Sequence, residues 1–157
     1  MDIDHLIRDD EVHRDVYVSE EVFALEMDRI FGSAWIYIGH DSQVPDPGDY
    51  WTTRVGLESV VMARGKQNEI NVFYNRCPHK GARIAGDGCG RTKGLFRCPY
   101  HAWTFNLDGT LRGVPYLEGY ENTRFDMADP RFSLRKVARV ASYRGFIFAS
   151  LLSLIHI

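Results

Sequence analysis

Two stretches, Asn75-Arg76-Cys77-Pro78-His79-Lys80-Gly81-Ala82 and Phe96-Arg97-Cys98-Pro99-Tyr100-His101-Ala102-Trp103, decide how this chain is read. Each sets one cysteine beside one histidine, as C-x-H and then C-x-x-H, with 18 residues between His79 and Cys98. Proline follows both cysteines; its fixed φ and missing N–H suit the start of a tight ligand loop rather than the middle of a strand. One thiolate and one imidazole per loop is the supply that a [2Fe-2S] centre needs when two cysteines hold one iron and two histidines the other. Neutral imidazoles in place of two thiolates leave such a centre less negative and readier to accept an electron, so electron transfer is the first functional expectation. Three other readings compete. A tetrahedral zinc site also takes two cysteines and two histidines, but usually from C-x2-4-C and H-x3-5-H pairs. A Cys77–Cys98 disulfide needs an oxidising compartment and leaves both histidines unexplained. Ordinary burial of cysteine in a core accounts for neither the doubled spacing nor the repeated proline.

Composition bounds the rest. A chain of 157 residues, 45% hydrophobic, can bury roughly two-thirds of its unfolded surface as one domain. Its net charge of -2 gives no basic surplus for nucleic acid, and no apolar run reaches the ~20 residues of a membrane span. The opening Met1-Asp2-Ile3-Asp4-His5 has no apolar signal-peptide core, so a cytoplasmic protein is expected. Beyond Cys77 and Cys98 the only cysteine is Cys89, a lone thiol in a glycine-rich loop, read as incidental.

Most of the pattern is strand-like. Ser19 can cap a helix with Glu20 and Glu21 at its positive end, Phe23, Met27, Ile30 and Phe31 on one face, and Gly32 as its stop. Strands are expected at Trp35–Ile38, Tyr50–Thr53, Val60–Ala63, Ile70–Phe73, Leu95–Arg97, Trp103–Phe105, Val137–Val140 and Phe146–Phe148. Pro45-Asp46-Pro47-Gly48, Gly65-Lys66 and Asp108-Gly109 punctuate them as turns.

The two cysteine–histidine stretches, with Asp108-Gly109 and Arg112-Gly113-Val114-Pro115 after them, resemble the Rieske signature of aromatic ring-hydroxylating dioxygenase large (alpha) subunits. The gap between the ligand pairs is one residue longer than the commonest family pattern. Asp87-Gly88-Cys89-Gly90, read as a glycine-rich turn, can absorb that insertion. Respiratory Rieske proteins brace their loops with an extra cysteine pair, where this chain has Ala82 and Tyr100. Their cluster-facing hydroxyls are replaced here by Trp103 and Phe105, which implies a low-potential centre of about −150 mV rather than about +300 mV.

The resemblance implies a mostly β fold: a Rieske-type antiparallel β-sandwich with a cluster-binding loop subdomain and an N-terminal helix. It divides the chain into residues 1–45 (helix and first strand), 46–150 (the Rieske [2Fe-2S] domain) and 151–157. That last stretch resembles a translated sequencing adapter and is expected to lie outside the fold. Cys77, His79, Cys98 and His101 are the implied ligands, Lys80 and Trp103 lie next to them, and His101 is the implied electron exit. Lys80 and Arg83 offer positive charge to an acidic donor. Trp103 is expected both to fill the core and to cover the cluster.

The remaining histidines, His5, His13, His40 and His156, contain no closely spaced pair for a second iron site. No catalytic residue is therefore expected within these residues, and the mononuclear Fe(II) of the family's catalytic domain is expected in sequence beyond them. Implied partners are a reductase or ferredoxin donor, and an alpha-subunit trimer with or without beta subunits. A stand-alone Rieske ferredoxin carrier is the alternative, and a zinc-stabilised interaction module the third.

Overall fold

The computed structural model describes residues 3–152. Ten strands form three antiparallel sheets among the described residues: β1 (Ile36–His40), β10 (Phe146–Ser150) and β9 (Arg139–Tyr143); β4 (Ile70–Tyr74), β3 (Glu58–Arg64), β2 (Asp49–Val55) and β5 (Cys89–Arg91); and β6 (Phe96–Arg97), β7 (Thr104–Phe105) and β8 (Leu111–Gly113), each in that spatial order. The expected β-rich antiparallel architecture is what forms.

The run Val60-Val61-Met62-Ala63 in β3 shows no polar alternation because the four-stranded sheet is covered on both faces. Val60 and Met62, with Val55, Val72 and Tyr74, pack toward Ile38, Ile147 and Ala149 of the β1-β10-β9 sheet, which makes the sandwich. Val61, Ala63 and Phe73 point the other way, into a second core with Phe96, Phe105, Leu107 and Leu111. Phe73 and Phe96 meet edge to face, ring centroids 5.3 Å apart. The hairpin that carries Cys98 and His101 thus rests on the back of a sheet whose front is already buried, and Cys77, Cys98 and Trp103 belong to that second core.

The N-terminal helix differs from its expected form. Helix α1 (Asp15–Val18) is a single turn, and α2 (Glu20–Glu26) begins at Ser19, whose hydroxyl accepts from the Val22 N–H. Met27–Phe31 then continue as a π-helical turn. The expected stripe does not bury as one face, and the wider turn re-aims only the side chains that follow Glu26. Val22 is buried while Phe23 and Ile30 are about half exposed. Phe31 and Met27 instead meet the β2–β3 turn at Gly56, where an added Cβ would lie 3.0 Å from Phe31 Cβ. Gly32 ends the element in a right-handed conformation, not the left-handed cap that a terminal glycine suggests.

The second departure lies between the ligand loops. Cys89 and Gly90, expected as part of a turn, instead open β5 (Cys89–Arg91), which completes the four-stranded sheet by pairing with Asp49–Trp51. Gly90 permits this because the Tyr50 ring lies directly on it. The Thr52 hydroxyl donates to the Gly86 and Gly88 carbonyls, and the Arg91 guanidinium grips Asp49 through both its carboxylate oxygens. The longer gap is therefore taken up as an edge strand fastened to the sheet. Leu151 is half-buried against the sandwich core; the expected tail otherwise falls mainly on residues 153–157, which lie outside the described residues.

Candidate metal centre

The two cysteine–histidine loops are built on the same backbone turn. In the first, the Cys77 N–H donates to the Ala82 carbonyl at 2.8 Å and the Gly81 N–H returns to the Cys77 carbonyl at 2.9 Å. In the second, Cys98 N–H donates to Trp103 O at 2.8 Å and Ala102 N–H to Cys98 O at 3.0 Å. The fifth residue of each turn is left-handed, Gly81 with φ 75° and Ala102 with φ 55°. Only the histidine position differs, two residues after Cys77 and three after Cys98. The turns point both thiols inward and both imidazoles outward.

Cys77 and Cys98 are 2% and 3% exposed, free thiols within hydrogen-bonding reach of each other. Burial pushes the Cys77 thiol up to about 11, its neighbour Cys98 adds to this, and the backbone N–H groups of His79 and Lys80 oppose it. Amides aimed at a sulfur stabilise it as an anion, the form that binds metal. His79 is half-buried and His101 exposed, with ring centroids 4.7 Å apart. Desolvation lowers the His79 pKa, helped by His101 and Lys80, and so favours the neutral imidazole that ligation requires.

Trp103, from the second loop, lies flat on His79 of the first, 4.8 Å away with planes 3° apart. Tyr120, Phe125 and Phe132 surround its other edges. Tyr100 lies over His101 at 3.8 Å and is itself exposed. A cleft of about 530 Å³ opens against both histidines, walled also by Arg97, Trp103, Tyr116 and Tyr120.

The four side chains fit a [2Fe-2S] cluster by their donor set, two sulfurs and two nitrogens. Two buried sulfurs beneath two outer imidazoles, with amides directed at sulfur, is a two-plus-two arrangement that a diiron cluster can bridge.

Other expected residues fall into place unevenly. Lys80 approaches Cys77 through its backbone, while its side chain is in solvent. Arg83 is paired with Asp87, so its charge is locally balanced rather than offered to a donor. Cys89 is an exposed thiol on β5, whereas the other two cysteines are buried. His40 caps the turn that follows β1, its ring 2.9 Å from the Ser42 hydroxyl, and makes no histidine pair; His156 lies outside the described residues. Sequence reasoning missed Asn75, which is buried beneath the first loop, and the aromatic wall behind Trp103. The spacing of Tyr120, Phe125 and Phe132 matches no single helix or strand period, and the chain there makes only isolated turns, so only its aromatic content could have flagged it.

Toluate 1,2-dioxygenase subunit alpha of Pseudomonas putida is 41% identical across 95% of this chain and 34% of its own length. The carnitine monooxygenase oxygenase subunit of Acinetobacter baumannii is 37% identical across 86% of this chain and 35% of its own length. The crystal structure of naphthalene 1,2-dioxygenase from Rhodococcus sp. bound to indole superposes with a TM-score of 0.82 at 34% identity, over 92% of this chain and 33% of that one. The chain thus spans about a third of the length of the relatives it matches. These relatives are subunits of oxygenases rather than free-standing carriers, and among the described residues no helix is long and apolar enough to cross a membrane. Residues 34–142, more than half of the chain and including both cysteine–histidine loops, match the Rieske [2Fe-2S] domain, and the chain belongs to that family.

Proposed function

We propose that this chain is the Rieske portion of a ring-hydroxylating oxygenase alpha subunit, in which Cys77 and Cys98 hold one iron of the cluster and His79 and His101 the other. The single observation that carries this reading is the duplicated turn: two buried thiols inward, two imidazoles outward, on loops joined by the Trp103–His79 stack. When bound, the cluster supplies a one-electron store between an external donor and the oxygenase iron.

The chain's own residues do the rest. The second core keeps water from the sulfurs, since Phe96, Phe105 and Trp103 are 3% exposed or less. Trp103 fixes the His79 ring and shields it on one face. His101 is the more open of the two histidines, and Tyr100, tilted over it, extends the aromatic surface outward, so His101 is the electron exit. Lys80, beside the first loop, carries its ammonium in solvent where it can meet an acidic donor.

In the whole protein a reductase or ferredoxin would supply electrons, and a mononuclear Fe(II) in a catalytic domain would add oxygen to an aromatic compound. An alpha trimer, with or without beta subunits, would bring His101 of one subunit to the iron of the next. Residues 1–45 supply the N-terminal helix and first strand of this portion and 46–150 its cluster domain, which Leu151, half-buried against the sandwich core, extends by one residue. The aromatic substrate class is supported by the toluate dioxygenase relative, whose name specifies a ring substrate; the carnitine monooxygenase relative is the competitor.

Anaerobic reconstitution with ferrous iron and sulfide tests the ligand set. The parent chain should take up about two irons and two acid-labile sulfides per molecule and turn brown. His79→Ala and His101→Ala should each lose the coloured centre. A colourless parent, or full metal retention in either variant, defeats the reading.

A further inference from the structure

The two ligand turns match, but their foundations do not. Below Cys98 and Trp103 the chain is clamped by a backbone ladder, with Arg97 paired to Thr104 and Phe96 to Phe105. The corresponding residues below the first turn are Arg76 with Arg83 and Asn75 with Ile84, and no strand pairing joins them. Asn75 spans this gap with its side chain. Its Oδ1 accepts from the Ile84 N–H at 2.9 Å and the Ala85 N–H at 3.0 Å, while its Nδ2 donates to the Ala85 carbonyl at 2.9 Å and to the Ser59 hydroxyl at 3.3 Å. Both lone pairs and both N–H groups are thereby used, in a residue 3% exposed.

We propose that Asn75 is the positioning residue of the first ligand loop: its buried carboxamide does for Cys77–Ala82 what the β6–β7 ladder does for Cys98–Trp103, and so sets where His79 stands against His101. This inference rests on the ligand assignment above but acts through backbone, not through metal. Carboxamide geometry suits the task because a planar group carrying donor and acceptor together can imitate a strand neighbour. Ser59 ties the clamp to β3, so the first loop takes its position from the central sheet, while the second takes its own from the hairpin. Neither clamp touches the outer imidazole, and each fixes the turn from which it hangs.

The test compares loops within one molecule. Asn75→Asp keeps the size and the acceptor but loses both donors, and Ser59→Ala removes only the weakest of the four bonds. In the cluster-free 157-residue chain, Asn75→Asp should speed exchange of the Cys77 and Gly81 amides by about tenfold or more and leave Cys98 and Ala102 within about twofold of the parent. Ser59→Ala should give the same selective pattern at about threefold. In reconstituted protein, Asn75→Asp should move the electron paramagnetic resonance g-values while retaining iron. Equal acceleration of both loops, or no acceleration in either variant, overturns the proposal, as do unchanged g-values in a variant that has loaded its cluster. Should Asn75→Asp fail to fold, Ser59→Ala decides alone. A parent chain that binds no cluster defeats the ligand assignment instead, and the exchange comparison still reports on the clamp.

Discussion

Truncating Trp103 should cost more than truncating any exposed tryptophan of this chain, because its ring closes the second core and covers a candidate ligand at once. The side chain is 3% exposed. A tryptophan buries roughly 150–250 Å² on folding, which at about 25 cal/mol per Å² gives ~4–6 kcal/mol as an upper figure, since unfolded chains are partly compact. Measured tryptophan-to-alanine changes in cores cluster at about 3–5 kcal/mol. Three edge-on partners, Tyr120, Phe125 and Phe132 with centroids 6.4, 5.6 and 6.2 Å away, leave little freedom for the site to collapse. Trp103→Ala should therefore cost about 4 kcal/mol, and Trp103→Phe, which keeps one ring, about 1–2 kcal/mol. The assay is guanidinium unfolding of the cluster-free chain under reducing conditions, which separates packing from metal linkage. Trp35→Ala, removing a ring that is 49% exposed, is the control and should stay within about 1 kcal/mol of the parent. If Trp103→Ala costs no more than Trp35→Ala, the view of Trp103 as the keystone between the loops is wrong.

Acidification probes the edge strand. Arg91 holds the Asp49 carboxyl below the usual carboxylate range, against the opposing effect of its burial. A depressed folded pKa means that the stabilisation is fully present above the unfolded value of about 3.9 and is lost as pH falls through the lower folded value. The stability gap between the parent and Asp49→Asn should thus be widest near neutral pH and close below about pH 4 in a series of urea melts; a pH-independent gap counts against the pairing. The matched turns predict opposite signs for reciprocal changes. Gly81→Ala should destabilise by about 1 kcal/mol because a Cβ is placed in a left-handed conformation, whereas Ala102→Gly should be neutral or stabilising by up to about 1 kcal/mol. Equal signs in thermal melts would show that the two turns are not equivalent. Finally, with Trp103 and Phe105 where hydroxyl donors would raise the potential, a redox titration of the reconstituted chain should give a midpoint of about −150 mV, and a value above zero would refute the low-potential assignment.

The sequence was most legible where chemistry and period coincide. The cysteine–histidine pairs stand out because cysteine, proline and histidine recur at near-equal spacing, and the main strands because Val60–Ala63 is an unbroken apolar run and Ile70–Phe73 is apolar at all but Asn71. What the runs could not reveal is that alternate residues serve two different cores, since both faces demand the same residue types. β5 was hidden because Gly90 disfavours a strand by propensity, and only the Tyr50 ring lying on it makes glycine the fitting choice. The π-helical turn at Met27–Phe31 was hidden because a 3.6-residue period describes its side chains almost as well until one asks what they touch. Asn75 lay inside a quoted motif yet showed no sign of its role, for a clamp made by one side chain on residues nine and ten positions later leaves no periodic trace.

The proposed cluster is held by two imidazoles as well as two thiolates. Pulsed electron paramagnetic resonance of the reduced, reconstituted chain tests it most directly, because nuclei bonded to the paramagnetic centre split its signal. A two-histidine ligand set should give strong couplings from two distinct nitrogens, one assignable to His79 and the other to the more open His101. A reduced cluster with no directly bonded nitrogen would contradict it.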